Sequence, residues 1–190
     1  VAQNSRPSAK CNGGAGLVVG VGAWKLKKDA SAQLNLCQSV KGPITDLCAA
    51  LLCGWASYGA GDTKAAVGTI DKLTGPEWYP LFKDLHSAMI LELAGKEKDA
   101  GVRLERAYKL DDSMLRVADD YARWLSRNKE EARATAIYEA FDKKVPRHPL
   151  VLEGLRDTKA GKKPPPRVAP RGAGQRVPGR GKGACSAIRG

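Results

Sequence analysis

The stretch LRVADDYARWLSRNKEEARATAIYEAFDKKVP, Leu115 to Pro146, decides the fold through its spacing. Apolar residues recur at i, i+3, i+4 and i+7 in two runs separated near Asn128, which predicts two consecutive helices that each have one face to bury. Small residues fall on those faces at Ala122 and Ala134. Small residues stand at the same places one period earlier, Ala88 and Ala100, and two periods earlier, Gly54 and Ala66.

The larger positions keep phase. Ile70, Leu104 and Tyr138 follow the second small site by four residues, Leu73, Ala107 and Phe141 by three more, and Pro146 closes the last unit. The common interval, thirty-four, is the tetratricopeptide (TPR) period, in which small residues let the two helices of a pair approach closely and larger ones wedge into the next pair. The expected fold is therefore all-α, a TPR-type superhelix of helix-turn-helix pairs: Leu47 to Pro80, Leu81 to Met114 and Leu115 to His148, with Pro149 to Lys159 as a capping helix. The fit is uneven, because Ala50 stands where the first helix usually carries Trp and Asp84 and Ser87 occupy sites that are usually apolar.

Outward from that stretch, helices are expected at about Ile44 to Ala60, Thr63 to Leu73, Tyr79 to Ala94, Glu97 to Leu110, Ser113 to Ser126, Lys129 to Lys143 and Pro149 to Lys159. Gly61, Gly95 and Asn128 suit the left-handed position after a helix, and Pro76, Pro146 and Pro149 cannot sit inside one. Three regions result: an N-terminal segment 1–40, a helical repeat domain 41–160 and a tail 161–190. Residues 1–16, rich in Ser, Asn, Gly and Pro and without a starting Met, read as a disordered, processed or truncated end. No secretory pattern surrounds Leu17 to Trp24.

Charge divides the chain unequally. Its net +12 gathers in the tail: Val1 to Leu155 holds 22 basic and 19 acidic residues, whereas Arg156 to Gly190 holds ten basic and one acidic. From Lys162 the chain is mostly Lys, Pro, Arg, Gly and Ala, with too few large apolar groups to offset the entropy of ordering, so disorder is expected there. Such a tail could neutralise phosphates by counterion release, yet it offers no aromatic ring for base stacking. Weak nucleic-acid or anionic-surface binding through the tail is the alternative function.

Catalysis finds little support. His86 and His148 lie far apart in the chain without ligand-spaced partners, the glycines from Gly13 to Gly22 spell no GxGxxG after a strand, and Gly179 to Gly183 form no phosphate loop. Asp111-Asp112, Asp119-Asp120 and Glu130-Glu131 read as loop, solvated-face and first-turn carboxylates. Neither a metal nor a cofactor is expected, and no catalytic residue is assigned. The five cysteines, Cys11, Cys37, Cys48, Cys53 and Cys185, are odd in number, show no CxxC spacing and read as reduced thiols. The longest apolar runs, such as Ala49 to Cys53, fall far short of the roughly 20 residues of a membrane span.

The resemblance is to tetratricopeptide-repeat proteins of alphaproteobacteria. It is carried by Lys41 to Leu47 leading into a helix ending at Trp55, by Ala65-Ala66, Trp78-Tyr79, Phe82-Lys83, Leu93-Ala94-Gly95 and Leu104 to Tyr108, and by Leu115 to Ala118, Tyr121-Ala122 and Arg147 to Leu150. It covers roughly Lys41 to Lys163. The resemblance implies a noncatalytic bacterial scaffold, in cytoplasm or periplasm, often with an export signal. Family members continue into further repeats where this chain turns to Gly, Arg and Pro, a departure readable as a divergent or out-of-frame end.

TPR stacks bind a partner peptide or helix along the concave face of their first helices. On this register the groove is lined by Leu51, Trp55 and Tyr58, by Leu85, Met89 and Glu92, and by Asp119, Arg123 and Arg127, grading from apolar to charged. The carboxylate-clamp class of the fold needs Lys, Asn and Arg at such sites, and only Arg123 matches. An apolar peptide with an acidic end is the expected partner.

Overall fold

The structure, a computed structural model, describes residues 43–167 together with Gly22. Of the expected regions, 1–40 apart from Gly22 and 168–190 lie outside the described residues. Among those described the fold is all-α, with no strand. The helices are α1 (Pro43–Gly59), α2 (Thr63–Asp71), α3 (Tyr79–Leu93), α4 (Glu97–Leu110), α5 (Leu115–Arg127), α6 (Glu131–Lys144) and α7 (Pro149–Lys159). Their bounds fall within two residues of those expected from periodicity. No helix among the described residues is long and apolar enough to cross a membrane.

Local chemistry sets the boundaries. Gly61 (φ 89°) and Gly95 (φ 72°) take the left-handed conformation, and the Lys96 amide reaches back to the Leu91 carbonyl at 2.8 Å to close the end of α3. The Asp62 carboxylate caps α2 by accepting from the Ala65 amide at 2.8 Å. The end of α5 corrects the sequence reading: Lys129 (φ 66°), not Asn128, adopts the left-handed conformation. Asn128 stays at φ −91° because its side-chain amide donates to the Trp124 carbonyl at 2.9 Å.

Each helix packs on its neighbours in sequence, and α1 also meets α3 while α5 meets α7. Most positions one period apart share one environment, Leu73 being less buried than Ala107 and Phe141. Ala66, Ala88, Ala100, Ala122 and Ala134 are wholly buried, as are Ile70 and Leu104. The core has two parts, one centred on Leu47, Leu51, Tyr58, Ile70 and Tyr79 and one running through α3 to α7, with Phe82 packed against both. At Gly54 an added Cβ would lie 2.7 Å from the Ile70 side chain and 3.0 Å from the Ala66 carbonyl, which is why the first pair needs glycine there.

The two misfit residues of the second pair have distinct settings. Asp84 is fully buried on α3 and is held from α4 by Arg103 at 2.8 Å and Arg106 at 3.2 Å. Arg103 also grips Asp71 at the end of α2, at 2.8 and 2.6 Å. Ser87 is buried with its hydroxyl unpartnered. Among the cysteines, Cys48 is free and Cys53 is disulfide-bonded, which corrects the expectation of reduced thiols for the latter.

Gly54→Val should therefore lower stability by about 2–3 kcal/mol through overpacking. Gly68→Ala, where an added Cβ meets nothing within 4 Å, should raise it by about 0.5–1 kcal/mol through helix propensity. Chemical denaturation of the two variants beside the parent chain measures both.

Candidate functional site

The residues expected to line a groove divide into two sets. Leu51 and Tyr58 are buried in the first core cluster and Leu85 in the second, while Met89 packs partly exposed against the second. Tyr58 donates its hydroxyl to the Leu93 carbonyl at 3.2 Å, so it ties α1 to the end of α3. Asp119 is buried and turned toward α6, where it accepts the Tyr138 hydroxyl at 2.9 Å. Burial pushes the Asp119 carboxyl up from its usual range, against the opposing pull of Tyr138 and Arg123. The Tyr138 phenol is pushed far up, by burial first and then by Asp119. Leu51, Tyr58, Leu85 and Asp119 thus serve contacts within the fold.

The second set meets on the face shared by α1, α3 and α5. Trp55 donates its indole N–H to Nδ1 of His86 at 3.0 Å, with the rings edge to face at 6.2 Å. Glu92, near the end of α3, is paired through Oε1 with Arg127 of α5. Arg127, expected to meet a partner's acidic end, is thus occupied by a glutamate of the chain itself. Arg123 lies partly exposed on α5 and supports the charge of Asp119.

Four participants on this face, Asp120, Arg116, His86 and Arg167, lie outside the groove assignment. Asp120 is buried on α5 and receives Nε of Arg116, one turn earlier, at 3.0 Å. His86 stands on α3, facing Trp55 and influenced by Arg116 and Asp120. The last is Arg167, beyond the end of α7. Its Nε donates to Glu92 Oε2 at 2.8 Å and its Nη2 to Asp120 Oδ1 at 2.6 Å. The expected disordered tail is thus placed as far as Arg167, which lies on the face.

The result is an alternating ladder, Arg127, Glu92, Arg167, Asp120, Arg116. The two carboxylate side chains are only 2% and 4% exposed. Buried carboxylates are tolerated when each oxygen meets a cationic donor, and all four oxygens here do. In the ladder the planar Arg167 guanidinium bridges two carboxylates from different helices. Among the described residues, no three His, Cys, Asp or Glu side chains are grouped so that they could hold a metal ion.

Comparison with protein-family models, curated proteins and solved structures finds no match to this chain.

His86 supplies a measurable probe of the face. Burial first, and Arg116 second, hold its pKa below the ordinary 6.5, while Asp120 opposes them. The unfolded chain takes up a proton near 6.5 that the folded chain refuses, so stability falls as pH drops through and below that value. Proton NMR should show the His86 ring titrating below pH 6.5, with the Trp55 indole proton shifting in step as its acceptor is lost. Arg116→Gln should move the titration upward.

Proposed function

We propose that this chain is a noncatalytic protein-interaction scaffold of the TPR type, which holds a partner peptide or helix along the face shared by α1, α3 and α5. The observation that carries this reading is the ladder on that face. Glu92 and Asp120 are buried there and paired with Arg127 and Arg116, and a stretch of polypeptide that belongs to none of the helices is seated on them through Arg167. A face that holds non-helical polypeptide by paired side chains has the chemistry of a peptide-recognition surface.

The periodic recurrence of small and large core residues supports the repeat assignment, because Ala66, Ala100 and Ala134, and Ile70, Leu104 and Tyr138, are alike buried, although Leu73 is less so than Ala107 and Phe141. Each helix pair alone leaves an apolar face, which stacking against the next pair covers. The resemblance to alphaproteobacterial repeat proteins points the same way.

Affinity capture from a nuclease-treated bacterial lysate tests the proposal, with the partner identified by mass spectrometry. Arg123→Glu, on the face, should reduce recovery of that partner about tenfold, a loss of ~1.4 kcal/mol in keeping with an arginine at an interface. Val102→Ser, at an exposed position of α4, should leave recovery unchanged, and circular dichroism should show both variants folded. Equal recovery with all three chains overturns the reading, and recovery found only in a parallel lysate without nuclease transfers the function to the basic tail.

A further inference from the structure

The ladder poses a question of chemistry: why two carboxylates are buried side by side where only Arg116 and Arg127 are supplied by the helices. Each helix-borne arginine takes one oxygen of its own carboxylate, Arg127 that of Glu92 and Arg116 that of Asp120. The remaining oxygens, Oε2 and Oδ1, both face the Arg167 guanidinium. Without Arg167 these two oxygens would have no cationic donor among the described residues. The helices therefore build a socket shaped for one further guanidinium.

We propose that the Glu92–Asp120 site is an arginine socket for an extended, proline-rich basic segment, and that Pro164-Pro165-Pro166-Arg167 of this chain is its resident occupant, which an arginine-bearing partner segment of the same kind displaces. The inference rests on the peptide-binding reading of this face and names the ligand class.

Three features fix that class. The donors used are Nε and one Nη of a single group, reaching acceptors on two different helices, a fork that the single ammonium of lysine does not offer. The Arg167 side chain is 21% exposed, so it is mostly but not wholly withdrawn from water. The three prolines before it have φ locked by their rings in the extended polyproline range, so presenting Arg167 sacrifices little conformational freedom, while Pro165 and Pro166 themselves stay exposed.

The resident is also an imperfect ligand. Nε of Arg127 is buried beside the socket with no acceptor. A partner segment that brings a carbonyl or carboxylate to Arg127 as well as a guanidinium to Glu92 and Asp120 would satisfy more of the site than Arg167 does. The resident's advantage is its tether. The short link from the end of α7 keeps it at an effective concentration in the millimolar range, which a free segment must overcome.

The test uses the full chain, isotopically labelled, as parent and as Arg167→Gln. The probe is the amidated peptide GKKPPPR, residues 161–167, beside its analogue with Gln in place of Arg, each titrated to about 5 mM to span the tethered concentration. The arginine peptide should bind Arg167→Gln at least about tenfold more tightly than it binds the parent, shifting amide resonances of α3 and α5, and the glutamine peptide should not bind. Adding Glu92→Gln, or Asp120→Asn if the former unfolds, should abolish binding. The proposal is overturned by equal binding of the two peptides, by equal affinity of parent and Arg167→Gln, by binding that survives loss of either carboxylate, or by no shift at about 5 mM. If the peptide fails while Arg123→Glu still loses its partner, only the socket falls; if capture ignores Arg123→Glu, the peptide-binding reading of the face falls.

Discussion

The close approach of the two helices in each pair is the constraint on which the rest of the molecule depends. Helices that present alanine or glycine to one another can bring their backbones near, and the larger residues one turn on then reach the next pair. Gly54 shows how tight the fit is, since even a methyl group there would collide with Ile70. The same economy of space recurs between pairs. Gly101 on α4 leaves room for the Trp124 ring, whose indole N–H donates to the Glu97 carbonyl at 3.0 Å and pins α5 against the start of α4.

Because the small residues recur at a fixed interval, the helical architecture is legible in the sequence. Periodicity locates each helix, and glycine chemistry locates two of the stops. The stop at α5 departs from the sequence reading for a local reason: asparagine is the ordinary candidate for a left-handed residue, but here its side chain is engaged with the Trp124 carbonyl and the lysine after it turns the chain instead. A single sequence holds no signal for that exchange.

The functional face is harder to read. Leu51, Tyr58, Leu85 and Asp119 have the right spacing for a groove, yet their side chains are taken up by the core or by Tyr138. Spacing identifies a helix face to within about one residue of rotation, or roughly 100°; neighbours such as Asp119 and Asp120 can exchange roles within that margin. Asp120, which reads from sequence as a solvated carboxylate, is nearly sealed from water. Arg167 is invisible as a participant because its partners stand 75 and 47 residues away and nothing in composition links a basic tail to two particular acids. Charge totals by region suggest an outward-facing tail; the pairing shows that at least one of its cations is turned inward.

Arg103 has a consequence of another kind. Where helices pack mainly on their neighbours in sequence, the energy of each junction decides whether they melt piecemeal or together. By holding Asp71 of the first helix pair and Asp84 of the second at the same time, this guanidinium makes loosening of α2 and loosening of α3 a shared event. The junction between the first two pairs is thereby a clasp, which works beside the α1-to-α3 bonds of Tyr58 and Trp55.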